Sequence, residues 1–236
     1  MYVEDLPEKT QDYLKVVWDL HERTGKKVTL GDVADRMGEK KPTASEAVKK
    51  LASRGFVMHE PYQGISLTEK GHDVAMVMVR RHRLIECFLF SKLGYTWDEV
   101  HAEAEKLEHA VSDEFISRID ALLGHPKRDP HGDPIPSEAG EIDAAVHTDL
   151  TDIPVGDVVV VDRISDSDPE LLRYLASAGV GPGSVLRAEQ APYAGMRVFS
   201  IVSAVAVGDG ETPAAGQSVH VADSALWAIK VTPRES

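Results

Sequence analysis

The chain has 236 residues, 42% of them hydrophobic, enough for one large domain or two to three small ones. A net charge of −13 argues, taken over the whole chain, against a nucleic-acid binder, and the lone cysteine, Cys87, excludes an intrachain disulfide framework and fits a reducing cytoplasm. No apolar run approaches membrane-spanning length, and the N-terminus, with Glu4 and Asp5, lacks the apolar core of a signal peptide.

The charge is unevenly spread. Residues 1–74 carry 12 basic and 13 acidic side chains, whereas residues 75–236 carry 14 and 26. Residues 6–24 predict a first helix, with Pro7 near its start and Tyr13, Leu14, Val17, Trp18 and Leu20 at helical spacing. Asp12 lies early in it, where an acid ordinarily complements the helix dipole. Thr29 predicts an N-cap, with Asp32 completing a capping box, for a short helix broken at Gly38. K-K-P-T-A-S-E-A-V-K-K-L-A-S-R-G then predicts a second helix with Pro42 in its first turn and Gly55 at its end. Two helices joined this way make a helix-turn-helix.

The second of these helices has a DNA-reading surface. Pro42, Thr43, Ser45 and Glu46 lie at the end that would enter a major groove, and Lys40, Lys41, Lys49 and Lys50 add positive charge. Between Arg36 and Gly55 the count is six basic to two acidic. Helix-turn-helix packing also occurs in proteins that bind no DNA. The segment F-V-M-H-E, a turn-rich tip at Pro61–Gly64 and I-S-L-T predict a hairpin, the wing of a winged helix. Thr68 then caps a long helix running to about Lys92, whose apolar residues cover too much surface for one small domain and suggest a dimer partner. His82 and Glu86 stand one turn apart on it, the spacing of a local salt bridge.

Thr96 with Glu99, and Ser112 before E-F-I-S-R-I, predict two further helices. The first, over Val100–Asp113 and ending near His109, places Glu105, Glu108 and His109 on one face at i, i+3 and i+4, with His101 one turn earlier. Carboxylates and imidazole so placed suit a divalent first-row cation, but a wet amphipathic helix whose glutamates face solvent is the more ordinary reading. Residues 125–136 are proline-rich and predict an extended segment in which His125 and His131 are surface residues. From Pro154 onward, short apolar runs separated by Gly/Pro turns, including one at Gly208–Gly210, predict a small β-barrel with one helical insert over 165–178.

Taken together, the motifs resemble the diphtheria toxin repressor family, which includes iron-dependent regulators and manganese transport regulators. V-M-V-R-R-H-R-L-I-E-C-F-L, V-H-A-E-A-E-K-L-E-H-A-V-S-D-E and D-P-H-G-D-P-I-P carry the resemblance most strongly, with Q-D-Y-L and K-P-T-A-S-E-A-V beside them. It covers residues ~4–140 closely and the last ~80 less tightly. It implies an α/β multidomain fold: a winged helix-turn-helix over 1–74, an all-helical dimerisation and metal-binding domain over 75–140, a linker over 141–152 and an SH3-like small β-barrel over 153–233. It also implies a primary metal site of Asp12, Glu105, Glu108 and His109. An ancillary site would use His82, Glu86 and His101 with a ligand from Ser167–Glu170, where Glu170 is favoured over Ser167 or Asp168. The family's iron regulators carry Met and Cys at the positions of Asp12 and Glu105. Carboxylates there, as in the manganese regulators, make the site oxygen-rich, which suits Mn²⁺ and leaves Fe²⁺ as the alternative. Lys15 stands where the smaller manganese regulators have a further glutamate, so their two-manganese cluster is not expected. The expected function is metal-dependent repression of metal-uptake genes by a cytoplasmic homodimer on double-stranded operator DNA. The alternatives are a metal-dependent hydrolase, or an interaction module whose barrel binds a Pro-rich partner such as the chain's own 125–136 segment.

Overall fold

The computed structural model describes residues 3–60, 64–143, 147–207 and 216–234. The chain forms two compact units: Met1–His82 with Glu108–Ala110 and Pro136–Ile142, and Arg83–Leu107 with Val111–Ile135 and Asp143–Ser236.

The first unit is a winged helix. α1 (Glu8–Thr24) follows Pro7 and ends at Gly25, which adopts φ 61° and returns its N–H to His21 O. α2 (Leu30–Arg36) starts in the expected capping box: Thr29 Oγ1 accepts the Asp32 N–H while the Asp32 carboxylate accepts that of Thr29. Gly38, at φ 64°, turns the chain into α3 (Lys41–Ser53), with Pro42 in the first turn. β1 (Val57–Glu60) and β2 (Gly64–Leu67) pair antiparallel from Val57↔Leu67 to Glu60↔Gly64, and Val28 bridges to Ile65 on the other side. Of the expected turn-rich tip, Pro61, Tyr62 and Gln63 lie outside the described residues. α4 (Glu69–Leu93) begins where Thr68 Oγ1 accepts the Gly71 N–H and donates to Gly55 O. Tyr13, Leu14, Val33, Val48, Phe56, Ile65 and Val79 fill the core of this unit.

The second unit takes the far half of α4, then α5 (Val100–Leu107) and α6 (Asp113–Leu122), the latter capped by Ser112 on the Phe115 N–H. Leu84, Leu89, Val100, Ala104, Ile116 and Ile119 make its helical core. α5 stops at Leu107, so Glu108 and His109 stand in the turn after it rather than on its face.

The C-terminal part corrects the expected SH3-like small β-barrel. β3 (Thr148–Asp149), β4 (Val158–Ile164), β5 (Val185–Glu189), β6 (Met196–Ser203), β7 (Ser218–Ala222) and β8 (Ile229–Pro233) form one antiparallel sheet ordered β3-β8-β4-β5-β6-β7. Among the described residues its outer strands pair inward only, β3 with β8 and β7 with β6, so the sheet is not closed into a barrel. The reason is how its apolar face is covered. Leu172 and Leu175 of α7 (Pro169–Ser177), with Leu150 and Leu226 from two 3-10 turns, pack against Val161, Leu186, Phe199 and Val219. Strands whose inner face is already capped have no need to curl round on themselves. β3 falls within the 141–152 stretch, and the turn expected at Gly208–Gly210 lies outside the described residues. No described helix is long and apolar enough to cross a membrane.

One close approach is diagnostic of how α4 seats on the wing. A Cβ on Gly71 would lie 2.0 Å from Phe56 O. Gly71→Ala is therefore expected to destabilise the protein by about 1–3 kcal/mol, the ordinary cost of overpacking, read as a lower urea midpoint with an unchanged slope.

Candidate metal centre

In the first unit, α1 and the turn after α5 bring Asp12, Glu108 and His109 together, one ligand atom from each lying within 4.8 Å of the others. The protonation of His109 follows from its neighbours. Gln11 Nε2 donates to Val3 O and Leu6 O, which leaves Gln11 Oε1 as the acceptor facing His109 Nδ1 at 2.9 Å. Nδ1 therefore carries a hydrogen, and in the neutral ring the lone pair sits on Nε2. Nε2 lies 2.8 Å from Asp12 Oδ1 and 3.6 Å from Glu108 Oε1. Asp12 Oδ1 is buried and has no aligned hydrogen bond. A ring held by one nitrogen, with its other nitrogen among carboxylate oxygens, is how proteins orient a metal-binding histidine. The Asp12 carboxylate raises the His109 pKa, against the opposing effect of burial and with help from Glu108.

Glu108 has no exposed surface. Lys15 Nζ lies 2.5 Å from its Oε1, and His82 Nδ1 lies 2.5 Å from its Oε2. His82, assigned above to the ancillary site, thus meets a primary-site residue in this unit. Glu105 belongs to the second unit, where its carboxylate is 3.8 Å from His101 Nε2.

The second unit holds two overlapping groups of possible ligands. Glu86, His101 and Asp166 form the first: His101 Nδ1 is 2.9 Å from Asp166 Oδ2 and 3.4 Å from Glu86 Oε1. Burial disfavours charge on His101, but Asp166 and Glu86 outweigh it and push its pKa up to about 10. Glu86, Asp129 and His131 form the second, and all three are buried. His131 Nε2 faces Trp97 O at 2.8 Å, an acceptor only, so its hydrogen is there and Nδ1 keeps the lone pair. That Nδ1 is buried with no hydrogen-bond partner. Burial, reinforced by Asp133 and Glu86, raises the pKa of Asp129 well above the usual carboxylate range. Buried carboxylates beside an unused imidazole lone pair fit a divalent cation, which would remove the repulsion and occupy that lone pair. Among the described residues no cysteine joins these groups; burial holds the Cys87 thiol protonated.

The ancillary residues expected near α7 are placed differently. Glu170 is exposed in the first turn of α7, where its N–H bonds to Asp168 Oδ1, and Ser167 Oγ shares a hydrogen bond with Ser165 Oγ. Asp166, next to this pair, is the residue that meets His101. Asp166, Asp129 and His131 were missed by sequence reasoning. Asp166 has no helical spacing to any other ligand, and His131 sits in a polar, proline-rich run that reads as surface although the residue is fully buried. His125 is exposed as expected and pairs with Asp120 at 2.8 Å.

Of the DNA-facing residues, Lys40, Lys41, Pro42, Thr43, Glu46, Lys49 and Lys50 are exposed along α3 and its N-cap, and Ser45 is half-buried.

Residues 5–65 match a model for the N-terminal DNA-binding domain of iron-dependent repressors, residues 68–137 one for their metal-binding and dimerisation domain, and residues 148–212 one for the FeoA domain. The iron-dependent repressor IdeR of Mycobacterium tuberculosis is 32% identical over 82% of this chain and 89% of its own length. The diphtheria toxin repressor of Corynebacterium glutamicum is 31% identical over 77% and 84%. Among solved structures, a manganese-dependent transcriptional repressor in complex with manganese is 46% identical, covers 95% of this chain and all of its own, and superposes with a TM-score of 0.86. The manganese-activated repressor ScaR in its apo form is 32% identical, covers 94% and 100%, and has a TM-score of 0.76. With winged helix, acid–imidazole clusters and sequence identity along most of its length in agreement, the chain belongs to the iron-dependent repressor family of metal-dependent transcriptional regulators, the family of the diphtheria toxin repressor.

Proposed function

We propose that this chain is a Mn²⁺-responsive repressor that binds operator DNA as a cytoplasmic homodimer and shuts down metal-uptake genes when the metal is plentiful. One observation carries the choice of metal: Asp12, Glu108 and His109 meet with oxygen and imidazole donors, and among the described residues no cysteine joins them. Such a set suits Mn²⁺ and does not select it by affinity over Zn²⁺ or Cu²⁺, so selectivity rests on coordination number and on the metals available in the cell. The solved relative at 46% identity is itself a manganese-dependent repressor in complex with manganese, which supports the same choice. Fe²⁺ is the second reading, favoured by the iron-dependent repressors that share 32% identity.

Asp12, Glu108 and His109 would hold the cation, which would supply positive charge between α1 and the Glu108–His109 turn and offset repulsion between the Asp12 and Glu108 carboxylates. α1 belongs to the winged helix, so its position orients α3. In a two-fold dimer, the separation of the two α3 helices must match half-sites roughly one helical turn apart or a multiple of it. Metal affinity that differs between DNA-competent and incompetent arrangements is sufficient to switch the protein. Glu86, His101, Asp166, Asp129 and His131 offer a further cation position in the second unit.

Operator retardation titrated with Mn²⁺, Fe²⁺, Co²⁺ and Zn²⁺ tests the reading. Wild type is expected to bind only with metal. Asp12→Ala is expected to need at least roughly tenfold more Mn²⁺, since even groups that merely support a ligand cost that much when lost. An equal metal response in both proteins would sink the proposal. Metal binding also requires neutral His109, whose pKa is raised in the metal-free protein. Uptake of Mn²⁺ therefore releases a proton below that raised pKa. Affinity measured by calorimetry should climb by up to about tenfold per pH unit and level off above it. On the DNA side, Lys49→Ala is expected to weaken binding to all sequences alike and to flatten the dependence of log affinity on log salt by about one unit.

A further inference from the structure

Three consecutive residues of α1 reach in two directions. Gln11 Oε1 and Asp12 Oδ1 lie 2.9 and 2.8 Å from the two ring nitrogens of His109. Tyr13, 1% exposed, points to the DNA-reading side instead, where its hydroxyl donates to Glu39 Oε2 at 2.7 Å. Lys9, one turn earlier on the same face, lies 2.6 Å from the other oxygen, Glu39 Oε1. Glu39 sits in the turn between α2 and α3. Its N–H bonds to Ala34 O, and the next residue, Lys40, caps α3 by accepting the N–H groups of Thr43 and Ala44. Next to this clamp, α1 and α3 are separated by an open cleft of about 350 Å³ lined by Tyr13, Thr43, Ala47, Lys50 and Leu51. The two-point grip on Glu39 adds a polar tie to the apolar core that α1, α2 and α3 share.

We propose that Tyr13 is a positioning residue for DNA recognition: with Lys9 it clamps Glu39, so that the α1 segment bearing Asp12 and the turn that delivers α3 move as one body. The inference rests on the metal-regulated DNA-binding reading and adds the route by which a change at Asp12 reaches the reading helix. The bond is short, charge-assisted and partly buried, so it contributes more than an ordinary surface hydrogen bond.

Tyr13→Phe removes only the hydroxyl and leaves the ring to fill the core. Operator affinity is measured by fluorescence anisotropy with saturating Mn²⁺ and with chelator, Mn²⁺ affinity is measured on the DNA-free protein, and thermal midpoints are recorded for both proteins. Tyr13→Phe should keep the Mn²⁺ affinity of the free protein within about twofold, while the gain in operator affinity on adding Mn²⁺ shrinks roughly tenfold, the scale of one charge-assisted hydrogen bond. Glu39→Gln, which keeps an acceptor, should lose less, and Tyr13→Phe combined with Glu39→Gln should be no worse than Tyr13→Phe alone. Operator affinities that fall equally with and without metal, alongside a lower thermal midpoint, would mean a merely structural role and overturn the inference. A full metal-induced gain in Tyr13→Phe would overturn it while leaving the functional reading intact. A wild type that ignores metal would overturn the functional reading and this inference with it.

Discussion

A carboxylate with no access to water must find its counter-charge within the protein, and Glu108 is such a group. A buried charge left unpaired is far costlier than a paired one, so the elements around Glu108 are arranged to neutralise it. Lys15 from α1 and His82 from α4 meet its two oxygens, and His109 stands beside it with the Nε2 lone pair facing inward. The rest of the first unit depends on this placement. Gln11 uses its amide hydrogens on Val3 O and Leu6 O and its oxygen on His109, so the N-terminal residues, α1 and the ring are locked in one hydrogen-bonded chain. A divalent cation entering here would meet a carboxylate that Lys15 and His82 already contact.

Electrostatics also reconciles an acidic protein with DNA binding. At physiological ionic strength, charges are screened beyond about 8 Å, so a phosphate backbone senses the local surface rather than the total of −13. The exposed lysines of α3 supply that local surface. Within the same stretch, Lys9 and Tyr13 pair with the acid Glu39, lowering its pKa and countering its charge.

In the second unit, the proline-rich run is structural. A Cβ on Gly132 would lie 2.2 Å from Asp162 O, the Ile164 N–H bonds to His131 O, and Arg163 pairs with Asp133. The run therefore lies along β4 with its acids and His131 turned inward.

The sequence by itself determined what local chemistry controls. The Thr29–Asp32 capping box, the break at Gly38, the Ser112 cap and the hairpin pairing after α3 are set by residues within a few positions of one another, and each is legible because its partners are close in the chain. The coexistence of acids and histidines over 101–109 was equally plain, and the motif resemblance pointed to the family. Three outcomes were decided only by the tertiary structure. Glu108 and His109 lie beyond the helix end at Leu107, and Glu108 meets Lys15 and His82, 93 and 26 residues away in sequence. Asp166 rather than Glu170 meets His101, because the Asp168 cap aims the first turn of α7 outward into solvent. The C-terminal strands stay open, because α7 and two 3-10 turns cover the face that a barrel would have closed over. Burial and long-range pairing depend on the whole chain's packing, and no pattern of neighbouring residues encodes them.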